Sequence, residues 1–141
     1  MKNKMSLKFC ALSENESFAR IAVASFVIGL DPSMEVLCDI KTAVSEAVTN
    51  AVIHGYENNA ECEVCIECEV ENGVLYIKVS DTGKGIKDIK KAMQPMYSEG
   101  GGEERSGMGF TVMSVFMDSV EVKSEIGKGT QVYMSKRVAA V

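Results

Sequence analysis

The segment TAVSEAVTNAVIHGY, residues 42–56, determines how the rest of the chain is interpreted. Its alanines and valines recur at helical spacing and predict one buried face. On another face Glu46 and Asn50 lie four residues apart, so a carboxylate and a carboxamide project side by side, and His54 continues that row. A carboxylate that can take a proton beside an amide oxygen that can hold Mg²⁺ suits phosphoryl transfer. The alternative is that these three side chains form the solvated face of an ordinary amphipathic helix.

The composition is that of one globular domain. The chain has 141 residues, of which 46% are hydrophobic and 25% charged. No apolar run approaches the ~18 to 20 residues that cross a bilayer, and the first residues lack the apolar core of a signal peptide, so we expect a cytoplasmic protein. The net charge of -5 argues against a surface that neutralises nucleic-acid phosphates. Any role in transcription should therefore be exerted through another protein.

The five cysteines do not predict a metal site. Their odd number, without a secretory context, fits reduced thiols. The spacing Cys62-x-x-Cys65-x-x-Cys68 is similar to part of an iron-sulfur motif. Side chains alternate along a strand, however, so Cys65 faces away from the other two and the three thiols cannot converge on one metal.

The first part of the chain predicts a strand followed by two helices. Residues 6–12 alternate as a short strand, and residues 13–16 have the Ser-x-x-Glu form of a capping box that begins a helix. Asp31-Pro32 predicts the start of a second helix of about 20 residues that runs to His54 and is ended by the glycine after it. Arg20 points away from the apolar stripe of the first helix, which fits a solvated side chain and equally a partner-binding face.

Residues 61–81 predict a β-hairpin with Asn72-Gly73 as a two-residue type I′ turn. This register pairs Glu67 with Lys78 and gathers the apolar side chains on one face and a row of glutamates on the other. Buried carboxylates would be costly, so the glutamate face must be in water. Helices can then cover only the opposite face of the sheet.

The hairpin runs directly into Asp81-Thr82-Gly83-Lys84-Gly85. Two glycines spaced by one residue let the backbone approach a ligand, and Asp81 can accept a hydrogen bond from an amino group. A short helix is expected at residues 86–93. Strands at 119–126 and 130–137 complete a mixed or antiparallel sheet.

A glycine-rich segment at about 94–109 contains almost no apolar residues. This composition fits a lid over a ligand and equally a plain flexible linker. Gly107-Met108-Gly109 closes the segment and opens a helix, where free backbone N–H groups would form an anion site.

Features with ligand-binding potential follow one another in this order: Glu46 and Asn50, Asp81-x-Gly83-x-Gly85, the glycine-rich segment, Gly107-Met108-Gly109 and Gly129-Thr130. Together they resemble the ATP-binding domain of the gyrase, Hsp90, histidine kinase and MutL superfamily. The E-x-x-x-N helix would be its N box and the D-x-G-x-G turn its first glycine box. The chain has no P-loop motif.

Within that superfamily the chain looks like the small anti-sigma factor serine kinases. The resemblance rests on the N-terminal strand, the first helix and the strings DPSMEVLCDIKTAVSEAVTNAVIHGY and VSDTGKGI, and it covers essentially the whole chain. It implies an α+β fold of the Bergerat type, a two-layer sandwich whose mixed, mostly antiparallel sheet carries about three helices on one face. Residues 1–141 would form one ATP-binding kinase domain.

The same resemblance implies a role for each motif residue. Glu46 would be the general base that activates the acceptor hydroxyl, and Asn50 would hold Mg²⁺ on the phosphates of ATP. Asp81, supported by Thr130, would accept from the adenine amino group, and Arg105 on the lid could stabilise the transferring charge. Further nucleotide contacts are implied for Gly83, Gly85, Gly107, Met108 and Gly109. His54 gains no role.

The implied activity is that of an anti-sigma factor and protein-serine kinase. It would bind and inhibit a sporulation sigma factor of the F type, with Arg20 as a candidate contact, and use MgATP to phosphorylate an anti-anti-sigma factor. His54 is the only histidine and lies in the N box, so the phosphate acceptor is expected on another protein, as a serine. The family also implies a homodimer.

Two other functions and one departure from the superfamily pattern remain. The resemblance implies a site for ATP or ADP. The chain could be a non-catalytic module in which ATP only orders the lid while a sigma factor is sequestered. Asp81-Thr82-Gly83 also matches the short motif of a dimeric aspartic protease, but such proteases are almost entirely β, whereas the first 56 residues are largely helical in pattern. Ser106 stands where larger relatives often have the first glycine of their second glycine box.

Overall fold

The computed structural model describes residues 2–92 and 109–139, in which five strands form one sheet. The strand order is β1-β2-β3-β5-β4, and every neighbouring pair is antiparallel. The α+β two-layer fold is confirmed, with an antiparallel sheet where a mixed one was allowed. The strands are β1 Lys2–Cys10, β2 Glu63–Glu71, β3 Val74–Asp81, β4 Ser119–Glu125 and β5 Gly129–Arg137.

Helices cover the apolar face of this sheet. Buried Ile40, Val44 and Val48, spaced by one turn, pack into the same core as Ile66 and Ile77 of the hairpin. None of the helices in the described ranges combines the length and apolar character that crossing a membrane requires. The helices are α1 Asn15–Val27, α2 Met34–Thr49, α3 Ile89–Ala92 and α4 Gly109–Phe116.

The hairpin has the register that its sequence predicts. Glu71 is opposite Val74 and Glu67 is opposite Lys78, whose Nζ lies 3.5 Å from Oε1 of that glutamate. Asn72 and Gly73 have φ angles of 52° and 77°, as a type I′ turn requires. The turn therefore sets which residues face the helices, since a slip by one residue would turn every apolar side chain outward.

The first strand is longer than predicted. It begins at Lys2 instead of Ser6 and ends at Cys10 instead of Leu12. The added residues form a strand because Lys2 and Lys4 pair with Glu71 and Glu69 of β2 across the solvent face. Lys2 Nζ lies 2.8 Å from Oε1 of Glu69 and 3.6 Å from Oε2 of Glu71. Lysines in alternation give a weak strand signal by themselves. Their partners are far away in sequence, which is why the pattern of residues 2–5 alone did not reveal the strand.

The capping box predicted at Ser13 does not form. Helix α1 begins at Asn15 without a side-chain cap, and the Asn15 side chain instead donates to the Cys10 carbonyl oxygen at 2.9 Å. Glu16, the other half of the motif, accepts a hydrogen bond from the Thr49 hydroxyl. The carboxylate thus serves a contact between helices in place of a local cap.

The second helix is capped by Ser33, not by Asp31. The Ser33 hydroxyl accepts from the backbone N–H of Val36 at 3.1 Å, whereas Asp31 lies in the left-handed region with φ of 54°. At its other end α2 continues as a π-helical turn, Asn50–Gly55, so the predicted helix end at His54 and Gly55 is confirmed. The short helix expected at 86–93 begins later than predicted, because α3 starts at Ile89 and continues to Ala92, the last described residue before the gap.

Thiol reactivity should separate the buried cysteine of β2 from the exposed ones. Burial raises the pKa of the Cys68 thiol to about 12, so the reactive thiolate is scarce. Cys10 and Cys38 are exposed. We expect iodoacetamide at about pH 8 to alkylate both at least about tenfold faster than Cys68, as measured by mass spectrometry of timed samples. The rates should converge in denaturant, and equal rates in the folded protein would contradict the buried position of Cys68.

Candidate functional site

The buried polar or charged residues of the described chain are Asp81 and Thr130. Only 7% of Asp81 and 4% of Thr130 is exposed, and the two are cross-strand partners at the end of β3 and the start of β5. Burying a carboxylate costs free energy unless its polar groups are satisfied. Such a pair at one end of a sheet is therefore a strong indication of a ligand site.

The Asp81 carboxylate is held by two backbone N–H groups. Gly83 N–H donates to its Oδ1 at 2.9 Å, and the backbone N–H of Thr130 also bonds to it. Burial raises the pKa of this carboxyl above its ordinary value, and the two N–H groups partly offset that rise because they favour the charged form. The carboxylate is thus fixed in place as a hydrogen-bond acceptor.

A close backbone contact joins the π-helical turn to the loop after β3. The N–H of Lys84 donates to the carbonyl oxygen of Gly55 at 3.0 Å. A β-carbon at Gly55 would overlap the Asp81 carboxylate, and one at Gly83 would overlap the Gly55 carbonyl. Gly83 was expected to admit a ligand, but the close approach that it permits is to the backbone of the chain itself.

Gly85 is required for a similar reason. Its φ angle is 80°, in the region that favours glycine, and a β-carbon there would overlap the Glu125 carbonyl of β4. The N–H of Gly127 donates to the carbonyl of Lys84 at 2.8 Å, so this loop is fastened to the β4–β5 turn as well. The glycines of the D-x-G-x-G turn therefore hold the loop between two parts of the fold.

A small cavity brings together residues that are far apart in sequence. Its lining includes four of the residues that were predicted as site residues, namely Asn50, Asp81, Gly85 and Thr130. Asn50 is the first residue of the π-helical turn, a wide turn that often occurs at functional sites. The remaining lining residues are His54, Gly55, Lys84 and Ile86. His54 was given no role from the sequence, yet it shares this cavity.

Glu46 lies one turn before Asn50 on α2 and is half-buried, but it does not line this cavity. Gly109 is the first residue of α4. The predicted lid up to residue 108, with Arg105, Gly107 and Met108, lies outside the described residues. Within the described ranges, no three histidine, cysteine or acidic side chains lie close enough together to hold a metal ion, and this includes the cysteines of β2.

Tyr56 is a positioning residue that the sequence did not reveal. Only 8% of it is exposed, and its hydroxyl donates to the Glu63 carbonyl at 2.7 Å and accepts from the Thr82 N–H at 2.7 Å. It thereby ties the end of the helical segment to the start of β2 and to the loop after Asp81. No local pattern marks such a residue, since all its partners come from other elements.

Arg20 is connected to the helix that carries Asn50. Its guanidinium lies 3.7 Å from the carboxylate of Glu16, and that carboxylate also accepts from the Thr49 hydroxyl. The Arg20 side chain is 40% exposed, so it forms part of the surface of α1. Glu16 thus connects Arg20, the candidate partner contact, to Thr49, the residue before Asn50.

The residues present suit an adenine nucleotide. A buried carboxylate and a hydroxyl at the cavity can accept from an exocyclic amino group, and the Asn50 carboxamide oxygen is the kind of ligand that Mg²⁺ takes. Residues 11–136 match the histidine kinase-like ATPase domain family. The anti-sigma F factor of Clostridium acetobutylicum is 56% identical over 141 residues, covering 100% of this chain and 98% of that protein. The chain belongs to the anti-sigma F factor family.

Other relatives agree with this assignment. The anti-sigma F factor of Oceanobacillus iheyensis is 55% identical over 139 residues, 99% of this chain and 95% of that protein. Family membership confirms the resemblance seen in the N box and the glycine box, and it excludes the aspartic protease interpretation of Asp81-Thr82-Gly83.

Solved structures with the same fold are more distant in sequence. The structure of the RsbU and RsbW domains of Rv1364c from Mycobacterium tuberculosis matches with a TM-score of 0.70 at 15% identity, covering 99% of this chain and 33% of that one. Full-length ShkA in complex with AMPPNP matches with a TM-score of 0.57 at 19% identity, covering 74% and 22% of the two chains. At these identities the likeness concerns the fold alone.

Replacing Gly83 with alanine should disrupt the contact between the π-helical turn and the loop after β3. The added β-carbon would overlap the Gly55 carbonyl, so we expect Gly83→Ala to lower the free energy of unfolding by about 1 to 3 kcal/mol. Gly29→Ala is the matched control, because nothing lies within 4 Å of a β-carbon there. Urea unfolding of both variants measures the difference. Equal stability of the two would contradict the tight packing at Gly83.

Asp81→Asn should change how stability depends on pH. Burial raises the pKa of Asp81 in the folded protein above its ordinary value of 3.8, so the folded state binds that proton more tightly than the unfolded chain. The stability of the wild type relative to Asp81→Asn should therefore fall as the pH rises through the folded pKa. Denaturant unfolding without nucleotide, from about pH 4 to pH 8, measures it. Glu121→Gln, at an exposed position, should show no such trend, and a relative stability that increases with pH would contradict the assignment.

Proposed function

We propose that this protein is an anti-sigma factor and a protein-serine kinase. It binds and inhibits a sporulation sigma factor of the F type in the cytoplasm, and with MgATP it phosphorylates an anti-anti-sigma factor on serine. The main observation behind the proposal is the cavity lined by Asn50, Asp81 and Thr130, because residues of the N box and of the end of β3 face the same space. Family membership supports the same assignment.

The base of the nucleotide is proposed to lie at Asp81. Its buried carboxylate is fixed by backbone N–H groups and can accept from an amino group, with Thr130 beside it. Asn50 would hold Mg²⁺ on the nucleotide phosphates, since it faces the same cavity from the π-helical turn. Bound ATP supplies the phosphoryl group. Gly85 shapes the cavity, and Gly83 holds the loop in place.

Glu46 is proposed as the general base. It lies one turn before Asn50 on the same helix, so its carboxylate can meet a hydroxyl that approaches the phosphates from outside the cavity. Its position outside the cavity lining suits a group that acts on the protein substrate. The lid would contact the phosphates through Arg105, Gly107, Met108 and Gly109. Arg105 would stabilise the negative charge of the phosphoryl group during its transfer.

The partners are proposed to dock near α1. Arg20 is exposed, positively charged and oriented by Glu16, so it can form charge-assisted hydrogen bonds with an acidic side chain of a partner. The protein would act as a homodimer that holds one sigma subunit. The second candidate is a non-catalytic module that binds ATP and sequesters the sigma factor. It is favoured by the cavity itself, because binding a nucleotide beside Asn50, Asp81 and Thr130 requires no general base.

Phosphotransfer distinguishes the two candidates. Incubation with labelled ATP, Mg²⁺ and an anti-anti-sigma protein should place label on a serine of that protein, detected by gel and by mass spectrometry. Glu46→Gln should reduce the transfer rate by at least about a hundredfold while leaving ATP and sigma binding intact, because only proton abstraction is lost. Glu35→Gln on the exposed first turn of α2 is the control and should be neutral.

Unaltered transfer by Glu46→Gln would show that another group is the base. Bound ATP with no label on any partner, under conditions where the sigma factor is held, would favour the non-catalytic module.

A further inference from the structure

Ser124 links the parts of the chain that surround the buried Asp81–Thr130 pair. It lies on β4 directly opposite Thr130 of β5, and it is half-buried. Its Oγ lies 2.7 Å from the backbone nitrogen of Ile86, 2.8 Å from Oγ1 of Thr130 and 3.0 Å from the carbonyl oxygen of Gly129. Ile86 and Thr130 both line the cavity, so one hydroxyl connects two of its walls.

The proton positions in this cluster follow from the chemistry of its members. A serine hydroxyl can donate one hydrogen bond and accept two. The Ile86 N–H can only donate, and the Gly129 carbonyl can only accept. All three contacts are satisfied together in one arrangement, in which Ser124 donates to Gly129 and the Thr130 hydroxyl donates to Ser124. The reverse direction would leave the contact with Gly129 unmade, at a cost for partly buried groups.

This arrangement determines what Thr130 presents to the cavity. Its only hydroxyl proton is engaged by Ser124, so the oxygen can offer lone pairs alone to a ligand. The Asp81 carboxylate beside it is also an acceptor, since the N–H groups of Gly83 and Thr130 point at it. The two buried polar side chains therefore both act as acceptors at the same place.

We propose that Ser124 is a positioning residue for purine selectivity. By holding the Thr130 hydroxyl as an acceptor next to Asp81, it favours a purine with a 6-amino group, which donates, over one with a 6-oxo group, which repels both acceptors. This inference rests on the proposed function, because it requires the nucleotide base to lie at Asp81. It assigns to a residue outside the known motifs the choice between two kinds of purine.

A purely structural role of Ser124 makes a different prediction. If its hydroxyl only fastened the loop to β4, its loss would weaken binding of every nucleotide by the same factor. If it orients the Thr130 proton, its loss frees that hydroxyl to rotate and donate to a 6-oxo group. The ratio of two affinities therefore separates the roles, whereas a single affinity does not.

The experiment compares ATP with inosine triphosphate, which carries the same sugar and phosphates but has a 6-oxo group and a protonated N1 where adenine has a 6-amino group and an unprotonated N1. Dissociation constants are measured by calorimetry for the wild type, Ser124→Ala, Thr130→Val and the double variant. We expect Ser124→Ala to reduce the preference for ATP by about three- to tenfold, the effect of about one net hydrogen bond. In the Thr130→Val background, Ser124→Ala should change the ratio no further.

Ser119→Ala is the matched control, since it removes a serine hydroxyl from the same strand at a position paired with Ser135, away from the cavity. It should leave the ratio unchanged. Thermal melts without nucleotide establish that each variant is folded. If Ser124→Ala melts below the assay temperature, Ser124→Cys, with similar volume and weaker hydrogen bonding, takes its place and should shift the ratio in the same direction.

The possible outcomes separate this inference from the proposed function. Tight ATP binding with the same ATP-to-inosine ratio in the wild type and Ser124→Ala would overturn the role of Ser124 and leave the nucleotide site standing. Unchanged ATP affinity in Asp81→Asn would remove the base from this site and overturn both. A reduced ratio in Ser124→Ala that disappears in the Thr130→Val background supports the inference.

Discussion

The contact between Gly55 and the loop after β3 is the constraint on which the candidate site depends. It lets the end of the helical segment touch the end of a strand with no side chain between them. Asn50 on one element and Asp81 on the other can therefore share a cavity. A larger residue on either side would separate the two elements by the width of a methyl group or more. The chemistry of both side chains would remain, but they would no longer face one ligand.

Local patterns predicted the parts of the fold whose determinants lie close together in sequence. The hairpin register followed from Asn72-Gly73 and the alternation around it, and the long helix followed from its apolar spacing. The predictions of local structure were wrong where a residue contacts a partner that is distant in sequence instead of a local one. Glu16 bonds to Thr49 instead of capping its own helix, and the lysines of β1 form a strand because glutamates of β2 lie opposite.

The candidate site was likewise predicted only where its residues belong to local sequence motifs. Asn50, Asp81 and Thr130 belong to motifs with recognisable spacing, and they do surround one cavity. Tyr56 and Ser124 have no motif, because each is defined by hydrogen bonds to other elements. Glycine spacing was a correct signal for tight approach, but the partner of that approach was the fold itself. Sequence alone does not show what a glycine makes room for.

The pairing of β1 with β2 has a consequence for how the chain is made. During synthesis β1 is completed first, but its partner follows only after both helices, so the strand must wait unpaired. An exposed strand with free backbone groups invites pairing with neighbouring chains. Lys2, Lys4 and Lys8 give this strand a row of like charges, which repels a second copy of the same strand. In the folded sheet Lys2 and Lys4 lie opposite Glu71 and Glu69 of β2. The same charges that stabilise the folded sheet therefore also oppose pairing between two unpaired copies of this strand.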